Sequence, residues 1–97
     1  MPLKGAVDMF RMWMKIFKEN RLLQDTVISV DDPEMTRTAK IFHAVSEACL
    51  CFDLSQPIWL DANIREFQRH SKTRFTQDNF VEEISFDFLE VHIIEED

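Results

Sequence analysis

A single glycine, Gly5, in 97 residues is the feature that most constrains what this chain can fold into. Every turn and helix end beyond it has to be built from residues that carry a Cβ. The same shortage removes a set of functions. Loops that cradle phosphate bring bare backbone up to the anion, so no Walker loop, dinucleotide fingerprint or glycine-rich kinase loop can be drawn here. A serine nucleophile elbow is excluded for lack of the glycines its turn requires.

Hydrophobic spacing sets the order of elements. From Met9 to Lys18, Phe10, Met12, Met14 and Ile16 alternate with Arg11, Trp13, Lys15 and Phe17. That period predicts a half-buried strand, although Phe10, Trp13, Met14 and Phe17 would also suit a helical face. Leu22–Val30 ends in a β-branched run and reads as a second strand. Glu19-Asn20-Arg21 makes the loop between them, with Asn20 able to take positive φ, so the chain opens on a β-hairpin. Asp32-Pro33-Glu34 has the composition of a helix start, with Asp32 as N-cap. Met35, Ala39, Phe42, Ser46 and Cys49 then fall at helical spacing, widened by Ile41, Val45 and Ala48, as far as about Cys51. Pro57 marks a break. Asp61 is a second N-cap candidate, opening a shorter helix to His70 that presents Ile64 and Phe67. Ser71–Asn79 is polar, either a loop or a short strand around Arg74-Phe75-Thr76. Ile84–Ile94 reads as a long strand whose alternation changes phase, which a bulge near Phe88-Leu89 would reconcile. The fold class expected is α+β, in the order ββααβ: a small, mainly antiparallel sheet with helices on one face.

The length fits one domain over residues 1–97, with 1–8 expected to be loosely ordered. An apolar content of 45%, nine Phe and two Trp supply a core and argue against intrinsic disorder. No apolar run approaches the roughly 20 residues of a membrane span, and the first residues lack the apolar core of a secretory signal. Cys49 and Cys51 stand one residue apart, which is no disulfide framework. A cytoplasmic location is the expectation, with no membrane partner.

Few residues offer chemistry. On a helix, Cys49 and Cys51 diverge by about 200°, so they cannot easily share a metal; on a strand they could, with His43, His70 or His92. Inert thiols are preferred, and neither metal nor cofactor is expected. The three histidines leave open a small enzyme using one as general base. Asp25, Asp31 and Asp32 cluster near the hairpin exit, but capping and solvation account for the latter two.

Charge asymmetry is more informative. The net charge is −7, yet Arg65, Arg69, Lys72 and Arg74 follow one another against Glu66 alone. Beyond Arg74 come only acids: Asp78, Glu82, Glu83, Asp87, Glu90, Glu95, Glu96 and Asp97. The basic cluster could bind an anionic ligand or RNA, with Phe67 and Phe75 interleaved as bases would need. Net charge disfavours nucleic acid, and pairing of the cluster with the acidic tail is the preferred account. The hairpin gives the second candidate. With Met12, Met14 and Ile16 turned inward, Arg11, Trp13, Lys15 and Phe17 form an interaction surface on the opposite face, unless the chain ends or Ser71–Asn79 cover Trp13.

Through Arg74-Phe75-Thr76-Gln77-Asp78-Asn79-Phe80 and the terminal Ile94-Glu95-Glu96-Asp97, the chain resembles short bacterial proteins of unassigned function from anaerobic Gram-positive genomes. The resemblance implies a cytosolic bacterial protein and brings no activity or site residues with it. Taken together, the sequence points to a non-enzymatic interaction or regulatory module, self-associating through the sheet face. Anion or RNA binding at residues 65–74 is the alternative, and a histidine enzyme the third reading.

Overall fold

The computed structural model describes residues 9–96, so Gly5 and the expectation of loose order over 1–8 lie outside the described residues. Strict alternation from Phe10 to Lys18 produces the first strand, β1. Phe10, Met12, Met14 and Ile16 are buried on one face, and Arg11, Trp13, Lys15 and Phe17 are half-buried on the other. A helix would have mixed these two sets. The loop is shorter by one residue than the sequence suggests, because Arg21 already pairs with Lys18. Glu19 and Asn20 alone make the turn, both left-handed (φ 53° and 65°). Positive φ at both positions is the type I′ geometry whose twist matches a hairpin. The second strand, β2, runs Arg21–Val30.

Asp32 does not cap the next helix. Its carboxylate accepts from the Glu34 N–H at 2.9 Å and its carbonyl accepts from the Met35 N–H at 3.2 Å, closing a separate turn. Thr36 is the cap instead, its hydroxyl accepting from the Ala39 N–H at 3.1 Å, and α1 runs Arg37–Phe52. The buried stripe is Ile41, Ala44, Val45, Ala48 and Cys49. Phe42, expected in the core, is 50% exposed, and Met35 precedes the helix. Asp53 ends α1 in the left-handed region (φ 58°), its N–H reaching the Cys49 and Leu50 carbonyls.

The second helix, α2, runs Asp61–His70 and ends at Ser71 (φ 57°). Asp61 is its first residue rather than its cap, an acid against the positive end of the helix dipole. The preceding Leu60 N–H is taken up by the Asn63 side chain at 3.2 Å. Asn63 and Phe67 are the buried residues of α2, while Ile64 is exposed. The polar 71–79 segment contains both a strand, β3 (Lys72–Phe75), and a 3₁₀ turn, Gln77–Asn79. The last strand, β4, is Phe88–Glu95, four residues shorter at its start than the run from Ile84 suggests. No bulge is needed at Phe88-Leu89, because Ile84–Asp87 lie outside the strand. Phe86 packs edge-on against Phe80 in the preceding loop. The bulge sits at the other end, where Met12 faces Ile93 but Arg11 faces Glu95.

One antiparallel sheet results, in the order β2-β1-β4-β3. The inward residues of its strands join the buried residues of α1 and α2 in a single core, so both helices cover the same face. A buried polar network fixes α2 against β3. Asn63 donates to the Thr73 hydroxyl (2.9 Å) and the Arg74 carbonyl (3.0 Å), Asn79 donates to Asn63 and to the Ile58 carbonyl (both 2.7 Å), and Thr73 donates to Glu66 (2.7 Å). Within this network the buried side-chain polar atoms have partners, as an unpaired one would cost about 1–3 kcal/mol, whereas Arg11 Nε is buried without one. Among the described residues no helix is long and apolar enough to cross a membrane.

Left-handed backbone carried by Cβ-bearing residues is a reservoir of stability. Asp53→Gly is expected to stabilise the fold by about 1 kcal/mol, and Asn20→Gly by somewhat less, since Asn tolerates this region better. For a domain of this size, 1 kcal/mol raises the melting temperature by about 4–8 °C. Thermal unfolding checks this; a lower melting temperature for Asp53→Gly would show that the carboxylate, not the backbone, holds that helix end.

Candidate functional site

The sheet face opposite the helices carries rows of polar and charged side chains. Strand register lays its side chains out in rows across all four strands. One row reads Asp25, Lys15, Glu90, Arg74 from β2 to β3, and the next reads Val27, Trp13, His92, Lys72. Toward the hairpin turn Phe17 stacks on Phe88 with centroids 5.2 Å apart, and toward the other end Arg11 pairs with Glu95 at 3.2 Å.

Glu90 organises this face. It is only 6% exposed although no helix among the described residues covers it, because the side chains of the flanking strands close over it. Lys15 Nζ lies 2.9 Å from one carboxylate oxygen and Arg74 Nε 3.1 Å from the other. Each cation also rests on a ring: Lys15 Nζ is 3.9 Å from the Trp13 centroid, and the Arg74 guanidinium 4.4 Å from that of Phe88. Trp13 Nε1 in turn donates to Asp25 at 2.9 Å. A continuous chain of contacts thus runs from Asp25 through Trp13, Lys15, Glu90 and Arg74 to Phe88.

The charges tune what they touch. Burial alone pushes the Glu90 carboxyl up, but hydrogen bonds from Lys15 and Arg74, with the charges of Lys15 and Lys72, outweigh it and hold the group below its ordinary value. His92 is held below its ordinary value by burial first, then by the Lys72 and Lys15 charges, against the opposing pull of Glu90. It is therefore a neutral ring at pH 7.

Of the residues singled out from sequence, Arg11, Trp13, Lys15 and Phe17 share this face, and Lys72 and Arg74 join them. Arg65 and Arg69 do not. They lie on the exposed surface of α2 with Glu66 and His70, around a shallow concavity of about 250 Å³. The basic cluster is contiguous in sequence and divided in space. Nor does the acidic tail lie on it as a unit: Glu90 takes Arg74, but Glu95 pairs with Arg11 and Glu96 with Arg37. Asp25, Phe88, Glu90 and His92 were each noted for other reasons and not assigned to this face. The alternation that turns Leu89, Val91 and Ile93 inward places Phe88, Glu90 and His92 outward, so that signal was present.

A second concavity, apolar and of about 260 Å³, opens on the helix side and is lined by Ile41, Phe42, Trp59, Ile64 and Phe67. Trp59 forms its floor, edge-to-face with Phe42 (5.8 Å), Phe67 (5.5 Å) and Phe75 (4.9 Å). Phe42 and Ile64 are its half-exposed walls, not core residues. Among the described residues no histidine side chain is hydrogen-bonded to a serine, threonine or cysteine, and no three of His, Cys, Asp and Glu are placed to hold a metal. His43 and His70 are exposed, the latter beside the polar concavity of α2. Cys49 faces the core and Cys51 solvent, and burial pushes the Cys49 thiol up to about 11.

Two outcomes follow from this chemistry. Glu90→Gln is expected to lower stability by about 1–3 kcal/mol at neutral pH, as for a lost hydrogen bond to charge. Because the folded carboxyl titrates below 4.5, its contribution is complete above pH 4.5 and disappears as pH falls through the lower folded value. Denaturant unfolding should therefore show the gap between wild type and Glu90→Gln closing in acid; a gap independent of pH would remove the ionic role. A thiol-reactive dye should label Cys51 in the native protein and Cys49 only on unfolding, because a buried protonated thiol is a poor nucleophile.

Comparison with protein-family models, with curated proteins and with solved structures finds no match for this chain, so the function of this surface rests on its own geometry.

Proposed function

We propose that this protein is a non-catalytic docking module that binds protein through the bare face of its sheet. The observation that carries the reading is the network from Asp25 to Phe88. It holds a tryptophan, a lysine and an arginine in fixed positions on a face that no helix among the described residues covers. Tryptophan and arginine dominate the energetics of protein interfaces, and side chains ordered beforehand lose less entropy when a partner arrives. The free Cys49 and exposed Cys51 suit a reducing compartment, which is the support for placing the module in the cytoplasm.

The same geometry disfavours RNA as the ligand. Bases bind such sheets by stacking on open aromatic faces, whereas Lys15 occupies a face of Trp13 and Arg74 a face of Phe88. Both cations are already paired with Glu90, and the net charge of −7 opposes a polyanion at long range.

Val27→Arg on the sheet face and Phe42→Ser in the helix-side groove separate the two surfaces. Cross-linking capture by wild type and both variants is expected to recover partners, further copies of this chain included, that Val27→Arg loses and Phe42→Ser keeps. Affinity should fall at least about tenfold, the equivalent of 1.4 kcal/mol. Partners lost from the groove variant alone would overturn the reading. Single-stranded RNA binding at about 50 mM salt, weakened by Lys72→Glu, would put the anionic ligand in its place.

A further inference from the structure

We infer that the occupant of this face is a second copy of the chain, packed face to face about a two-fold axis parallel to the strands, so that β2 of each copy lies over β3 of the other. The inference rests on the docking reading above and names its partner.

The argument is one of charge order. Across the sheet, at a strand spacing of about 4.8 Å, the central row runs negative, positive, negative, positive: Asp25, Lys15, Glu90, Arg74. A two-fold axis parallel to the strands reverses the row in the second copy. Asp25 then faces the second copy's Arg74, and Lys15 the second copy's Glu90, so every opposition is between unlike charges. A two-fold axis in the sheet plane but across the strands sets each residue of the row against itself, and every opposition is between like charges. Isologous dimers require a self-complementary surface, and the register supplies one for the first axis and its opposite for the second.

Exposure shows where new bonds form. Lys15 and Glu90 are largely covered and already joined within one chain, whereas Asp25 is exposed and the Arg74 side chain 60% exposed. The new ion pairs are therefore Asp25 with the opposing Arg74, made twice by symmetry. In the neighbouring row the same axis sets Trp13 over the second copy's neutral His92 ring, and Val27 over the aliphatic stem of the second copy's Lys72. These rows and Arg11 place four cations beside the three carboxylates Asp25, Glu90 and Glu95. The net charge of −7 is thus not carried by this face, and like charge there does not oppose a second copy.

Sedimentation equilibrium tests the arrangement with three variants, each first shown to be folded by circular dichroism. Asp25→Arg sets Arg against Arg74 in its own dimer, and Arg74→Glu sets Glu against Asp25. Each alone is expected to weaken association at least tenfold, roughly 1.4 kcal/mol. Mixed one to one, they restore both unlike pairs and should form a heterodimer of near wild-type affinity. Val27→Glu, which does not disturb the Glu90 network, places a carboxylate over the opposing Lys72 and is expected to tighten the dimer severalfold, so the proposal survives even if Arg74→Glu does not fold. A wild-type chain that stays monomeric up to about 1 mM overturns the inference; face-dependent capture of a different protein would then leave the docking reading standing, and loss of both would end it. A dimer that Val27→Glu weakens, or that mixing does not rescue, overturns this two-fold axis.

Discussion

The carboxylate of Glu90 is the point on which the order of the sheet face opposite the helices depends. It sits on the sheet face opposite both described helices, yet it is almost removed from water, and a charge in that position requires partners. Lys15 and Arg74 supply them from the strands on either side. Holding the carboxylate draws both long side chains down across the sheet and onto the rings of Trp13 and Phe88. Pairs of this kind add little net stability over an apolar replacement, because desolvation offsets their attraction. What they contribute is position: one acid fixes two cations and, through them, two aromatic rings.

The rest of the fold allows that face to stay bare. Both helices pack on the other side, where Met12, Met14, Leu89, Val91 and Phe75 meet Val45, Ala48 and Phe67. The Asn63–Asn79–Thr73 network ties α2 to β3 at one end, while Thr36 and Asp53 delimit α1 at its two ends. Tight connections without glycine are made by Glu19, Asn20, Asp53 and Ser71 in left-handed backbone. The hairpin turn among them pairs Lys18 with Arg21, and a one-residue register shift between Ile16 and Phe17 then brings Lys15 opposite Asp25. A local conformational strain thereby helps decide the charge order across the sheet.

The fold was largely legible. Alternation identified β1, β2 and the phase of β4, and helical spacing located α1 and α2. Beside the hairpin loop drawn one residue too long and the misplaced start and bulge of β4, the errors were of two kinds. At Asp32 and Asp61 the sequence offered a good cap one to four residues too early or too late, since cap propensity does not say which acceptor the backbone will use. At Phe42 and Ile64 an apolar residue at helical spacing was assigned to the core, although only part of each stripe faces the sheet and Trp59 props the remainder open as a groove. The site was half legible: Arg11, Trp13, Lys15 and Phe17 followed from β1 alone, while the basic run from Arg65 to Arg74 was divided by the turn at Ser71.

The sequence by itself determined a small α+β sheet protein without glycine-dependent phosphate loops, with one strand presenting Trp13 between two cations and an acidic C-terminal segment. These are properties of local spacing and composition, which act over a few residues. Only the tertiary structure decided which charges meet. Arg74 and Glu90 are sixteen positions apart, and Lys15 reaches Glu90 from the far end of the chain through strand order and register, which long-range pairing sets. The acidic tail was dispersed to Lys15 and Arg74, Arg11 and Arg37 by that pairing, because an antiparallel strand distributes consecutive outward residues among whatever its neighbours present.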